Sequence, residues 1–385
     1  MRLAENPHLD EDLQSIADQV MTFCEREVRP HGEEWEREGR VPREVLRKMG
    51  GLGMLGLRVP EEYGGLGMGP MATCMLGEAL GRASTYSGFD ITVMVHTDMA
   101  SPHLLHSGSE EQKQRYLPGI LSGDTITAVA VTEPDAGSDV AGIRSTARRD
   151  GDGWRVSGRK MFITNAVYGD LVMLGARTNP DDPRGISMFM IEAGSEGFSV
   201  AQKLDKQGWR CSDTAELVLE DVYVPQENLL GTEHRGFYEI MKNFQNERMV
   251  IGAQAVGSAQ TGIDLTLEHV QTRKAFGSVL YDKQAIRQRL AMAQAKLDAC
   301  RASVYQAAWL MEQGVDATKY VSGVKAYVCE TVMEIFYECT QFHGGAGFIN
   351  ETPVNRMYRD ARVNTIGGGA TEVMLEEVAK RSLIG

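Results

Sequence analysis

The spacing of apolar residues changes twice along this chain of 385 residues. From Leu9 to about Gly123, apolar side chains recur at the helical period and are interrupted by prolines, which predicts helices joined by loops. The first such series is Leu13, Ile16, Ala17, Val20, Met21 and Cys24. The chain is therefore expected to begin with a helical region.

Short apolar runs separated by Gly, Asp, Asn and Pro replace this period between about Thr125 and Asn228, and such runs are typical of β-strands. They cover residues 126–131, 154–156, 161–163, 171–176, 186–191, 217–219 and 222–224. Their number and shortness predict a small antiparallel β-domain.

The helical period returns after Pro225, and the next proline is Pro353. The intervening sequence is rich in Ala, Gln, Glu, Met and Leu, which favours long helices in a bundle. Because helices precede the strands and follow them, we expect an α+β fold with segregated layers instead of alternating βαβ units. The predicted domains are residues 1–124, 125–230 and 231–385.

Composition narrows the class of protein. With 42% hydrophobic and 24% charged residues the chain is globular, and a net charge of −13 argues against nucleic acid as its main partner. The six cysteines form no CxxC pair, which indicates reduced thiols and not disulfides or zinc. The polar start, with Arg2 and Glu5, lacks a signal region, and no apolar run reaches membrane-spanning length. We expect a cytoplasmic protein without a membrane span.

Residues Gly51 to Gly56 spell the GxGxxG pattern of dinucleotide-binding loops. That fingerprint requires a strand before it and a helix after it. Here residues 43–49 have a helical pattern, and Pro60 follows too closely for a helix to start. We interpret the glycines as a helix end and a loop.

Two groups of side chains have the composition of metal ligands: His96, His103 and His106, and Glu330, Glu334 and Glu338. The histidines have no carboxylate or cysteine at ligand spacing, and the glutamates lack an accompanying Glu-x-x-His. Buried or capping histidines and a solvated helix face are the preferred interpretations, so no metal is predicted.

Six stretches carry the most specific signal: AVTEPDAGSD at 130–139, KMFITNA at 160–166, RKAFG at 273–277, QFHGGAGF at 341–348, RDAR at 359–362 and NTIGGGATE at 364–372. Taken alone, the first is either a turn or a loop whose hydroxyl and NH groups bind a polar ligand. The glycine triplet is likewise either a helix cap or a seat for a thioester or flavin. In this order, the stretches resemble the acyl-CoA dehydrogenase family over essentially the whole chain.

The resemblance implies an N-terminal helical domain, a central β-domain and a C-terminal four-helix bundle, with FAD between the β-domain and the C-terminal helices. It also implies a homotetramer in which a neighbouring subunit touches each flavin. The substrate would be an acyl-CoA thioester, as in the β-oxidation of fatty acids. Electron-transfer flavoprotein would accept the electrons.

The resemblance further implies which residues bind FAD. Those of the β-domain are Val129, Val131, Thr132, Gly137, Ser138, Phe162, Ile163 and Thr164. Those for the pyrophosphate and adenosine, where an arginine fork suits a diphosphate, are Arg273, Phe276, Gln284, Gln341, Phe342, Gly344 and Gly345. The remaining contacts fall to Ala370, Thr371 and Glu372. Phe162 stands where many relatives have Trp.

By the same comparison, the most frequent catalytic glutamate of the family corresponds to Gly368 here, so that base is absent. A minority of members, including the long-chain and isovaleryl types, carry the base in a Glu-Arg pair before the RKAFG motif. Here the pair is Glu247-Arg248, and its alternative interpretation is an ion pair on a helix surface. Substrate contacts would come from Ser138, Tyr238, Gln245, Arg248, Gly368 and Gly369, although Tyr238 is equally explained as an ordinary helix aromatic.

These assignments imply a reaction. Glu247 would remove the α-proton, the amide of Gly368 and a flavin hydroxyl would hold the thioester carbonyl, and the β-hydride would pass to the flavin, giving a trans-2-enoyl-CoA. Glu247 would need a raised pKa, for which Phe244 and Met249 offer apolar surroundings. An oxidase or desulfinase-like relative and a non-catalytic acyl-CoA-binding scaffold remain open. Acyl chain length does not follow from the sequence, although the base position favours long or branched chains.

Overall fold

The computed structural model of the chain describes residues 6–383. Arg2 and Glu5, on which the expectation about a signal region depends, lie outside this range. The N-terminal region is helical, as predicted, and its helices are α1 (Glu11–Phe23), α2 (Gly32–Glu38), α3 (Arg43–Gly51), α4 (Pro70–Ala83), α5 (Ser87–Met94), α6 (Ser101–Ser107) and α7 (Glu110–Ser122). A π-helical segment, Val95–Ala100, joins α5 to α6. The GxGxxG spelling lies at the end of α3 and in the following turn, as the sequence indicated.

Eight strands form one sheet in the central region: β1 (Thr127–Ala130), β2 (Thr146–Asp150), β3 (Gly153–Thr164), β4 (Leu171–Arg177), β5 (Ile186–Glu192), β6 (Phe198–Lys203), β7 (Thr214–Pro225) and β8 (Leu229–Leu230). Their order is β6-β7-β3-β2-β4-β5-β8, with β1 beside β4. Most neighbouring strands of the sheet pair antiparallel, as predicted, but β4 pairs in parallel with β1 and β2. The β2–β3 hairpin lies between β1 and β4 in the sequence, and after it the chain enters β4 with the same orientation as β1.

The strand bounds differ from the apolar runs for a physical reason. β2 and β6 were not predicted because most of their side chains are exposed and neither strand contains a continuous apolar run. Two of the predicted apolar runs belong to the single strand β3, and two others belong to β7. These strands continue through the glycine and polar residues between the runs, because β-bulges, including one between Lys160 and Ile163, absorb the irregular positions.

The C-terminal region contains α8 (Gly236–Thr272), α9 (Gln284–Glu312), α10 (Thr318–His343), α11 (Pro353–Ala361) and α12 (Thr371–Leu383). Helices α8, α9, α10 and α12 pack as the predicted bundle, and the α+β architecture is confirmed. A hairpin of β9 (Lys274–Ala275) and β10 (Ser278–Val279) joins α8 to α9. The division into three domains at the predicted boundaries stays a prediction.

Close contact between α4 and α8 fixes the helix that carries Glu247. A Cβ on Gly81 would lie 2.1 Å from the Gln254 carbonyl oxygen, and one on Gly257 would lie 2.1 Å from the Glu78 carbonyl oxygen. These glycines let the two backbones approach to a distance that any side chain would prevent. The middle of α8 is consequently buried on all sides.

The other expectations concern groups away from this helix. Within residues 6–383, no helix is long and apolar enough to cross a membrane, and no cluster of three or more His, Cys, Asp or Glu could hold a metal ion. All six cysteines are buried and free. Glu334 pairs with Lys296 at 2.6 Å on the helix surface, and Glu338 pairs with Arg289. The cytoplasmic location stays a prediction.

Candidate active site

Glu247 is buried in the middle of α8, with only 6% of its surface exposed. The alternative of a surface ion pair with Arg248 is therefore wrong. The Arg248 side chain is also buried, and its Nε donates to the Gly368 carbonyl oxygen at 3.3 Å. A buried carboxylate without a bonded cation is costly, and such groups concentrate at functional sites.

Asn243 holds the Glu247 carboxylate in place. It lies one helical turn earlier on α8, and its Nδ2 donates to Glu247 Oε1 at 2.9 Å and to the Met99 carbonyl oxygen at 3.0 Å. Asn246 Nδ2 donates to the Asp98 carbonyl oxygen at 3.0 Å. Sequence analysis missed Asn243, although a polar residue four positions before a buried glutamate is the available signal.

Burial raises the pKa of Glu247 to about 7, against the opposing effects of the Asn243 hydrogen bond and the Arg248 charge. A general base is most effective when its pKa is close to the working pH. Near neutral pH the carboxylate is therefore substantially ionised and remains basic enough to accept a proton.

The glycine triplet packs against the same stretch of α8. Gly368 and Gly369 have φ values of +65° and +114°, and a Cβ on Gly368 would lie 2.6 Å from Ile251 Cδ1. The space that a glutamate at position 368 would use is thus taken by Ile251. This loop requires glycine for its backbone conformation and for its contact with α8.

Two cations hold the carbonyl groups of this loop. Arg248 binds the Gly368 oxygen, and the completely buried Lys325 of α10 donates to the Gly369 oxygen. Within the described chain, the amides of Gly368 and Gly369 donate no hydrogen bond. The loop therefore presents two free N–H donors beside the helix of Glu247. Nothing in the sequence marked Lys325.

We expect Gly368→Ala to lower the free energy of unfolding by about 1–3 kcal/mol, because alanine is strained at positive φ and its methyl group meets Ile251. The matched control is Gly367→Ala: that Cβ lies 3.5 Å from the nearest atom, and Gly367 is not among the residues of positive φ. Denaturant unfolding of both variants checks this prediction. Equal stability of the two variants would contradict it.

A buried ion pair anchors the loop after β1. Lys160 is completely buried, and its Nζ donates to Glu133 Oε1 at 2.8 Å and to the Val131 carbonyl oxygen at 3.1 Å. Glu133 also accepts the backbone N–H groups of Arg144 at 2.6 Å and Ser145 at 2.9 Å. These bonds fix both neighbours of Thr132.

The charges of this pair are maintained. Burial lowers the pKa of Lys160 to about 8 despite the attraction of Glu133. Burial alone would raise the pKa of Glu133, but Lys160 and the hydrogen bonds lower it overall. Both groups are therefore charged at neutral pH.

The predicted ligand-facing residues of this loop differ in exposure. Val131 is buried in the core, Val129 is half-buried, and Gly137 and Ser138 are exposed. The backbone carbonyl of Thr132 accepts the Met161 N–H at 2.9 Å. Its half-buried hydroxyl has no partner within residues 6–383 and is free to bind a ligand.

Phe162 is held in an unusual conformation at the bulge of β3. Its φ is +63°, which is rare for a bulky residue, and 66% of its surface is exposed. The next side chain, Ile163, is buried in the sheet core, so only its backbone faces outward, and Thr164 is half-buried. A strained and exposed aromatic residue beside the anchored loop indicates a ligand surface.

The predicted pyrophosphate and adenosine contacts lie at one end of the bundle. Phe276 is 98% exposed on the β9–β10 hairpin. Three more of these residues and the two glycines next to His343 also lie at the surface: Arg273, Gln284, Gln341, Gly344 and Gly345. His269 and His343 stack at 4.4 Å, which joins the ends of α8 and α10. Phe342 is the exception, since it is buried under the Arg289 guanidinium at 4.8 Å.

The remaining predicted residues are dispersed. Thr371 donates its hydroxyl to Glu330 Oε1 at 2.6 Å, Ala370 is half-buried, and Glu372 is exposed. The structure does not bring the two other proposed substrate contacts to Glu247. Gln245 points about 200° away around α8, and Tyr238 lies about 13 Å earlier along the axis, 42% exposed.

Three family profiles match the chain in sequence order: the acyl-CoA dehydrogenase N-terminal domain over residues 10–124, the middle domain over 128–222 and the C-terminal domain over 234–383. The chain belongs to the acyl-CoA dehydrogenase family. Such enzymes are oxidoreductases that act on CH–CH donors and use FAD as cofactor. The scaffold alternative is therefore wrong.

Relatives of this acyl-CoA dehydrogenase include mouse long-chain specific acyl-CoA dehydrogenase, 37% identical over 94% of this chain and 84% of the relative. The isovaleryl-CoA dehydrogenase of Solanum tuberosum is 36% identical over 98% and 90%. Among solved structures, an acyl-CoA dehydrogenase from Geobacillus kaustophilus superposes with a TM-score of 0.94 at 36% identity, covering 98% and 99% of the two chains. The resemblance to long-chain and isovaleryl types is consistent with these relatives.

The residues of this acyl-CoA dehydrogenase fit FAD. Phe162 and Phe276 expose large aromatic surfaces that a planar ring can cover. A Cβ on Gly344 or Gly345 would meet no atom within 4 Å, so their backbone is open to close approach. The Lys160–Glu133 pair fixes the loop that carries the free Thr132 hydroxyl.

Proposed function

We propose that this acyl-CoA dehydrogenase converts an acyl-CoA to a trans-2-enoyl-CoA, with Glu247 as the base. One observation supports this most strongly: the buried Glu247 lies on the part of α8 that packs against the free amides of Gly368 and Gly369. One group accepts a proton and the others stabilise an oxyanion, which are the two requirements for removing a proton next to a thioester carbonyl.

Each protein group has a separate part. The Gly368 and Gly369 amides bind the thioester oxygen as it gains negative charge. Arg248 holds the Gly368 carbonyl oxygen and so orients the peptide group that carries the Gly369 N–H, and Lys325 holds the next carbonyl along the loop. Glu247 Oε2, the oxygen not bonded to Asn243, takes the α-proton. When bound, FAD supplies the acceptor for the β-hydride. The closed apolar surroundings of α8 exclude water from the carboxylate.

The β-domain group around Thr132, Ser138 and Phe162 would hold the FAD of the same chain. The group around Arg273 and Gln341 lies at the far end of the bundle and would bind the FAD of a neighbouring subunit, because exposed Phe276 needs a partner surface. A homotetramer and electron-transfer flavoprotein as electron acceptor complete the proposal.

Anaerobic mixing with straight and branched acyl-CoA thioesters tests the function. We expect the flavin absorbance to bleach, trans-2-enoyl-CoA to appear in the mass spectrum, and electron-transfer flavoprotein to reoxidise the enzyme. A flavin that no acyl-CoA bleaches would overturn the proposal. Reoxidation by air at a rate comparable to turnover would instead indicate the oxidase alternative.

Asn243→Leu should move the acidic limb of the pH profile of kcat/KM to higher pH by about one unit. The Asn243 hydrogen bond lowers the pKa of Glu247, so its loss raises that pKa above about 7. Since the base acts when ionised, activity is lost at the lower pH values. The control is Asn246→Leu, which removes a bond to the Asp98 carbonyl instead. An identical shift in both variants would contradict the role of Asn243.

A further inference from the structure

A second group of buried polar side chains lies two helical turns along α8 from Glu247. Gln254 Nε2 donates to Asp90 Oδ2 at 2.8 Å and to Ser87 Oγ at 3.1 Å. On its other side, Gln254 Oε1 accepts from Asn364 Nδ2 at 3.5 Å. Asp90, Gln254 and Asn364 are 1%, 3% and 3% exposed. We call Asp90, Gln254 and Asn364 the polar cluster.

The helix α5 and its π-helical continuation run antiparallel to α8. Met99 meets Asn243 at the end near Glu247, and Asp90 meets Gln254 at the other end. The segment made of α5 and its π-helical continuation therefore extends along α8 from the candidate base to the polar cluster.

The glycine loop and the residues before it also pack along this part of α8. Gly368 contacts Arg248 and Ile251, and Asn364 reaches Gln254. Positions 247, 251 and 254 share one face of α8, so the base and the polar cluster lie on the same side of the helix, about 10 Å apart along its axis. Ile251, between them, is apolar.

The polar cluster contains more hydrogen-bond acceptors than donors. Within residues 6–383, neither Asp90 Oδ1 nor Asn364 Oδ1 accepts a hydrogen bond of normal geometry, and both atoms are buried; the Ser84 hydroxyl is near enough to Asp90 to lower its pKa but does not complete a bond to Oδ1. The orientation of the Asn364 amide is set, because Gln254 already uses its NH₂ group on Asp90 and Ser87 and offers only its oxygen. Two orphaned acceptors call for a donor, since each buried and unsatisfied polar atom costs about 1–3 kcal/mol.

We propose that the acyl chamber ends at this cluster, and that Asp90 and Asn364 select acyl groups with a hydrogen-bond donor, a hydroxyl or an amino group, at the distal end. The proposal rests on the proposed function. A purely hydrocarbon tail would leave both oxygens unpaired, whereas a donor placed about 10 Å beyond the reacting carbons would satisfy them.

Matched thioesters test this inference. At each of several chain lengths, acyl-CoAs ending in methyl, hydroxyl or amino groups are compared by calorimetric binding and by anaerobic flavin reduction at pH 8. Because burial raises the pKa of Asp90 to about 7, this pH keeps its carboxylate ionised. At one chain length, we expect a donor-terminated substrate to exceed its methyl counterpart by about ten- to a hundredfold in kcat/KM. The comparison of hydroxyl-terminated with amino-terminated substrates identifies which donor is preferred.

Two variants locate the preference. Asp90→Leu and Asn364→Ala should each reduce it, and Asn364→Ala keeps the test valid if Asp90→Leu fails to fold. The control is Thr92→Val on the same helix, whose hydroxyl donates to the Gly88 carbonyl oxygen at 2.9 Å, and which should keep the preference.

The outcomes separate this inference from the proposed function. Methyl-terminated substrates that equal donor-terminated ones at every length would overturn the inference alone, as would a preference that persists unchanged in both cluster variants. A flavin that no thioester reduces would overturn both.

Discussion

Glu247→Gln should lower the rate of flavin reduction by acyl-CoA by about a hundred- to ten-thousandfold, the contribution that general bases commonly make. Glutamine keeps the shape of the side chain and can still accept the Asn243 hydrogen bond, but it cannot take the α-proton. The protein should remain yellow and folded, because an uncharged amide avoids the cost of burying a carboxylate. Stopped-flow bleaching under anaerobic conditions, with thermal unfolding as a check, measures this effect.

The matched control is Glu239→Gln, two turns earlier on α8. Burial raises the pKa of Glu239 as it does for Glu247, but this carboxylate lies outside the candidate site. We expect it to bleach at close to the wild-type rate. If Glu247→Gln bleaches as fast as Glu239→Gln, Glu247 is not the base.

Lys160→Met should lower the free energy of unfolding by about 3–5 kcal/mol and reduce the FAD content of the purified protein. The substitution leaves the buried Glu133 carboxylate without its cation and releases the loop on both sides of Thr132. Denaturant unfolding gives the stability, and the ratio of flavin to protein absorbance gives the FAD content.

Arg159→Met provides the comparison. Arg159 is the neighbouring residue of β3 and pairs with Glu216 at 2.6 Å, but its side chain is 60% exposed, so its loss should cost less than about 1 kcal/mol. Combining Lys160→Met with Glu133→Gln should recover part of the stability, because no unpaired charge remains. A double variant no more stable than Lys160→Met would argue against the ion pair as the anchor.

The sequence predicts the elements that carry either a continuous apolar run, as β4 and β5 do, or apolar residues at the helical period. The helical period predicted the two helical regions. The strands β2 and β6 were not predicted, because strands at the surface carry little apolar pattern. The parallel pairing of β4 also escaped, since strand direction depends on the path of the chain between strands.

Only those parts of the candidate site whose functional residues are adjacent in the sequence could be predicted. The Glu247-Arg248 pair and the glycine triplet stand out in the sequence, and the structure places them together. Lys325 and Asp90 depend on partners from distant parts of the chain, so no local pattern distinguishes them from ordinary polar residues. Asn243 offers only its spacing of four residues from Glu247, which many polar helix residues share.

The amide contacts of Asn243 and Asn246 with the carbonyl oxygens of Met99 and Asp98 have a dynamic consequence. They tie the helix that carries Glu247 to the N-terminal helical region, so the base lies on a rigid scaffold. A base on the glycine loop would lose conformational entropy each time that loop settled around a substrate. Here the acid–base group is pre-organised before substrate arrives, so substrate binding does not have to order it.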